Sequence, residues 1–176
     1  MGGEIHRRTA IEVPDEGLVL FLVGMRINQI WNVRQWVPVI SAMRAMLTEI
    51  AQHPELGVLS PSQTFLAGRV LQVQQYWRSL EALEAYARSK DHAHLPAWGE
   101  FYRRTRGTKA VGVYHETYVI SPRGGDALYV NMPILGLADA ARATSLIQPL
   151  GDEPSVNASN RVSATDLTHH EAPALQ

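Results

Sequence analysis

The sequence predicts an α+β fold, a ferredoxin-like βαββαβ sandwich, on three observations. Segments of strand length and segments of helical spacing follow one another between residues 18 and 132 in the order strand, helix, strand pair, helical region, strand, late strand. The chain has 176 residues, 45% of them hydrophobic, which suits one domain with a substantial core and is too short for two comfortable ones. A sheet with helices on one side leaves its other face open, and the simplest cover is a second copy. The expectation is therefore a homodimer whose two sheets close into a dimeric α-β barrel.

Residues 18–28 are rich in Leu, Val, Phe and Ile without helical spacing, as in a buried strand, and turn polar at Arg26 and Asn28. After a turn at 31–35, Trp36, Val39, Ile40, Met43, Met46, Leu47 and Ile50 recur at three-and-four spacing, which predicts an amphipathic helix lying on the sheet. Pro54 disfavours helical geometry at His53 and so sets the helix end. Residues 55–62 form a turn region. Residues 64–76 read as strand, broken at Gly68, with Gln72 and Gln74 on one side and Leu71, Val73 and Gln75 on the other. Ser79 caps the next helix, whose first turn carries Glu81 and whose buried side carries Leu80, Leu83 and Ala87. It frays at 89–91. A further short helix carries Leu95, Trp98 and Tyr102, with Pro96 tolerated in its first turn. Residues 111–120 alternate: Val111, Val113, His115, Thr117 and Val119 share one face, Tyr114, Glu116 and Tyr118 the other. Residues 127–132 form a shorter extended segment, and 129–137 form an arm that crosses to the partner. Residues 1–16 are expected as a flexible lead-in, 17–148 as the domain, and 149–176, nearly devoid of large apolar residues, as a disordered tail.

Composition narrows the function. Sixteen basic and seventeen acidic side chains, scattered along the chain, give a formal charge of −1, so a phosphate backbone gains little and nucleic acid is not an expected partner. The absence of cysteine removes disulfides, thiolate zinc sites, iron–sulfur clusters and a catalytic thiol. The apolar run at 18–27 is interrupted by Gly24 and Arg26 and is too short to cross a bilayer, so no membrane association is expected and a cytoplasmic location is the default. No Rossmann glycine pattern, nucleotide phosphate loop or hydrolase nucleophile elbow occurs.

The segments VLFLVGMRIN, HPELG, QYWRSLEALEAYAR with HLPAW, VGVYHETYV and YVNMPILGL, in that order over residues 18–137, resemble a family of monooxygenase-like proteins. That family is related to the fumagillin-pathway antibiotic-biosynthesis-type monooxygenase, and many members are domains of unknown function. The resemblance implies a dimeric α-β barrel that oxidises a small organic molecule with dioxygen, without flavin or metal, since an electron-rich substrate, once deprotonated, can itself reduce dioxygen. It also implies alternatives, because other members of the wider superfamily bind haem and the scaffold serves several chemistries.

Against that background the expected site is the aromatic and histidine cluster around residues 76–102. Asn28 resembles by position an asparagine that lies in the active cleft of some superfamily members, and Arg26, two residues away on the same face, would help polarise an oxygen-bearing substrate. The alternative is a strand end emerging into water. Trp77 stands where the superfamily commonly has tryptophan, as pocket wall or as core, and Tyr76, pointing to the opposite side, is a separate candidate for the pocket. His94 shares a helix face with Trp98, whereas His92 lies about 200° round the helix from His94, so the two cannot hold one metal. His115 is either a pocket base or a buried, hydrogen-bonded histidine. Glu116 would pair with Arg26 or Arg69, and Tyr102 either joins the pocket or ends a helix. The leading expectation is a cofactor-independent monooxygenase with His94 or His115 as base. The others are a haem enzyme with His94 as axial ligand, and a non-catalytic ligand-binding dimer.

Overall fold

A computed structural model describes residues 5–13, 15–92, 94–122 and 124–143. Its centre is a four-stranded antiparallel sheet in the order β3-β4-β2-β5, built from β2 (Leu18–Ile27), β3 (Gln63–Ala67), β4 (Val70–Trp77) and β5 (Val111–Ile120). The two most apolar strands, β2 and β4, take the middle of the sheet. Their register places Val19 opposite Trp77, Phe21 opposite Gln75 and Val23 opposite Val73, while on the other edge of β2 Val23 faces His115 and Phe21 faces Thr117. With β2 and β3 antiparallel to the β4 strand between them, this is the expected ferredoxin-like arrangement.

Helices α1 (Val33–Gln52), α2 (Leu80–Arg88) and α3 (His94–Thr105) cover one face. α1 ends at His53, and Pro54 opens a single 3-10 turn, Pro54–Leu56, that Gly57 closes at φ +103°. The break expected at Gly68 is the turn of the β3–β4 hairpin, where Gly68 has φ +58°. The Ser79 hydroxyl accepts the Ala82 amide at 3.2 Å and so starts α2. Beneath the helices Val19, Ile50, Trp77, Leu83 and Tyr86 form one core cluster, in which Trp77 is fully buried.

Three features depart from the sequence reading. The lead-in contains a strand, β1 (His6–Glu12), paired antiparallel with β6 (Asp126–Met132). Residues 129–132, expected in an arm reaching a partner, therefore pair within their own chain, with Thr9 opposite Tyr129. A short helix, α4 (Leu137–Ala143), follows Gly136, and its Ala138, Ala140 and Ala141 are fully buried. β1 is polar and α4 has only seven residues, so neither shows a periodicity of its own; each forms because the other elements supply a surface. Leu137 and Ala140 pack on Leu18, Tyr76 and Val13, covering one end of the sheet face that the three long helices leave bare. The rest of that face carries Leu20 and Leu22, partly exposed, with Phe65 48% and Tyr118 49% exposed. The tail expected at 149–176 lies outside the described residues.

Candidate functional site

The strand parity that buries Val19 and Trp77 also sends Phe21, Gln75, His115 and Thr117 toward the helices. Together with Leu83 and Tyr86 of α2 and Trp98 of α3 they enclose a cavity of about 370 Å³. His115 and Thr117 are exposed, so this space opens along the edge strand β5. Further along the same sheet face, Val23 and Val113 form the floor of a second chamber of about 120 Å³. Its other walls are Pro38, Val39, Met43 and Met46 of α1 and Phe101 of α3. Trp98 lines both chambers.

The polar atoms around the larger chamber are positioned by hydrogen bonds. The Trp77 indole donates to Gln75 Oε1 at 3.1 Å, and Gln75 Nε2 donates to Ser62 Oγ at 3.0 Å, which fixes the Gln75 amide. Tyr86 lies 5.7 Å from Trp77 and 5.5 Å from His92, ring to ring. Its hydroxyl donates to Glu49 Oε2 at 3.0 Å, and the other oxygen of Glu49 meets His92 Nδ1 at 3.1 Å. Burial raises the Tyr86 phenol well above the usual tyrosine value, and the Glu49 hydrogen bond and charge push it the same way. Tyr86 is therefore a wall and a hydrogen-bond donor rather than a base.

The expected site residues fall into two groups. His115, Trp77 and Trp98 are brought together in one cavity. His115 lies 5.9 Å from Phe21 and 6.5 Å from Trp98, edge-on to the indole. Tyr102 stacks on Trp98 at 5.4 Å but is 66% exposed and is not among the residues that line the cavity. His94 opens α3, and its side chain is not among those described.

Tyr76, Glu116, Arg26 and Asn28 occupy the opposite sheet face or its end. Tyr76 is buried against Leu137 and accepts from Gln74 Nε2 at 2.9 Å. Arg26 donates to Asn28 Oδ1, and Asn28 Nδ2 donates to the Lys109 carbonyl at 2.9 Å. Arg69 reaches the Asn28 carbonyl at 3.3 Å. The arginine pairing expected for Glu116 does not form: Tyr118, two residues along the same face, donates its hydroxyl to Glu116 at 2.7 Å, and both arginines are held at Asn28.

Phe21, Gln75, Tyr86, Thr117 and Phe101 were not foreseen as cavity walls. Period-two counting from Val19 and from His115 would have found Phe21 and Thr117 once the face of β5 was assigned. Glu49 had a signal too, a carboxylate three residues past Met46 and thus beside the apolar stripe of α1. Among the described residues no group of three His, Asp or Glu could hold a metal ion, and no helix is long and apolar enough to cross a membrane.

No curated protein matches the chain. Among solved structures, an aldoxime dehydratase in complex with butyraldoxime is similar, with a TM-score of 0.59 and 19% identity over 75% of this chain and 38% of that one. A second aldoxime dehydratase gives a TM-score of 0.57 and 21% identity over 76% of this chain and 41% of that one. SnoaB, a cofactor-independent oxygenase from Streptomyces nogalater, gives 0.42 and 10% identity over 58% and 91%. The chain spans well under half the length of either dehydratase, and the likeness to them is one of fold. The sequence profile described as monooxygenase af470-like matches residues 18–137, most of the chain and all of the strands and helices that enclose the cavity, so this protein belongs to the monooxygenase af470-like family.

Proposed function

We propose that the protein is a monooxygenase for a small, largely apolar or aromatic metabolite, using dioxygen without a resident flavin or metal. The observation that carries this reading is the placement of the His115 imidazole at the open side of a cavity walled by Phe21, Trp77 and Trp98. Imidazole accepts a proton near neutral pH, and the aromatic walls offer apolar contact to an organic ring while limiting water. His115 takes the proton from an activated methylene of the substrate, and the resulting carbanion reduces dioxygen. The methylene becomes a carbonyl, the second oxygen atom leaves as water, and all four electrons come from that carbon. Gln75 and Thr117 supply hydrogen bonds that orient the substrate's oxygen.

Haem as a resident group has less support. It needs a slot beside its axial ligand wide enough for the macrocycle, and the Trp98 indole lines both chambers between α3 and the sheet. The partly exposed face with Leu20, Leu22, Phe65 and Tyr118 supports a homodimer closed sheet to sheet. The test is oxygen uptake by purified protein with hydroxyarenes that carry an acidic benzylic methylene. Uptake with ketone formation, lost in His115→Ala, is the expected result. Uptake no faster than in buffer, or undiminished by His115→Ala, overturns the reading.

A further inference from the structure

We infer that the substrate has two parts, a compact head bearing a hydrogen-bonding oxygen and an apolar arm of several carbons, and that Trp98 marks the junction between their chambers. The inference rests on the reading above that the His115 cavity receives the substrate. It comes from the contrast between two adjoining spaces on one sheet face. Moving two residues along β2, from Phe21 to Val23, and two along β5, from His115 to Val113, changes the floor from aromatic and polar to aliphatic. Along α1 the second chamber is lined by Met43 and Met46, unbranched side chains that adapt to a flexible chain. Pro38, inside α1, also lies on this wall, where its ring adds apolar surface at the expense of a helix hydrogen bond. Glu100, which borders the same chamber, is paired with Arg103. The side chains of α1, α3 and the sheet leave here a half-open, apolar-walled space of about 120 Å³, whose partly exposed lining gains from being covered by apolar surface. The arm of the same molecule fits because both chambers share the Trp98 wall.

The probe is a series of 4-n-alkylphenols from ethyl to octyl, titrated calorimetrically into the full chain. Affinity should rise about fourfold per methylene until the second chamber is full, then level off. Ala42→Leu, which intrudes on that chamber, should bring the plateau to shorter chains, and Met46→Ala should move it to longer ones. The change for 4-ethylphenol, too short to fill the second chamber, should be the smallest of the series in both variants. A flat dependence on chain length, or a plateau that neither substitution moves, overturns the inference, even if oxygen uptake is retained. A rise with chain length whose plateau both variants shift supports it, even where no substrate is oxidised and the catalytic reading fails.

Discussion

The Trp98 indole meets the His115 imidazole edge-on, with ring centroids 6.5 Å apart and planes at 87°. This geometry directs one ring's positive edge at the other's negative face, so a residue of α3 packs against a side chain on the sheet's edge strand. On the proposed chemistry, His115→Ala should lower oxygenation 10²- to 10⁴-fold, the usual contribution of a general base. Because His115 is exposed, the same substitution should change stability by less than about 0.5 kcal/mol. Oxygen-electrode rates and urea denaturation of the same preparation separate the two effects.

Glu49 joins α1 to α2 and to the segment before α3 through Tyr86 and His92. Replacing it with alanine removes the acceptor from a buried phenol. The expected loss is about 1–3 kcal/mol, seen as a lower urea midpoint with an unchanged slope. A smaller loss in Glu49→Gln, which keeps an acceptor oxygen, would identify the hydrogen bond as the cause.

Tyr86 also gives stability a pH dependence whose sign is fixed. Its folded-state value is raised above the ordinary value of 10.0, so below that pH folded and unfolded chains both hold the proton and the stabilisation is intact. As pH rises past it, the unfolded chain releases the proton first, and stability falls toward the folded-state value. Tyr76, raised by burial, adds to the same trend. Tyr86→Phe should therefore lose stability less steeply between about pH 10 and 12 than the parent, and coincident alkaline unfolding curves would contradict this account.

Gly24 is required by its neighbour. A Cβ there would stand 2.6 Å from the Tyr114 ring, which crosses β2 to donate its hydroxyl to Gln72 Oε1 at 2.7 Å. Gly24→Ala should cost about 1–3 kcal/mol through overpacking. The double variant with Tyr114→Ala should fall short of the sum of the single losses, because removing the ring removes the clash.

The open sheet face supplies a test of assembly. Leu22→Lys places a charge among Leu20, Tyr118 and the other partly exposed residues of that face. On the proposed sheet-to-sheet homodimer, it should yield a monomer by light scattering, while the far-ultraviolet dichroism stays that of the parent.

The βαββαβ order could be read in the sequence because each of its elements carries a local signal. The alternation from Val111 to Ile120, the apolar stripe of α1, the Ser79 cap and the glycine at the β3–β4 turn are all properties of neighbours along the chain. The same alternation placed His115 on one face of its strand and Glu116 on the other. β1 and α4 had no such signal, since their stability lies in β6, in the sheet end and in the Ile11, Ala138 and Ala141 contacts.

Tertiary structure alone decided which polar residues gather. Asn28 and His115 both looked like cleft residues when judged strand by strand. The antiparallel register of β2 with β5 sets Asn28 beside the Lys109 and Ala110 carbonyls at one end and His115 opposite Val23, five residues away and on the other face. Glu116 found Tyr118 rather than an arginine, and Glu49 found two partners far along the chain. Periodicity along a chain fixes which side of an element a residue occupies. Which element stands opposite, and so what that residue touches, is fixed by packing between segments distant in sequence.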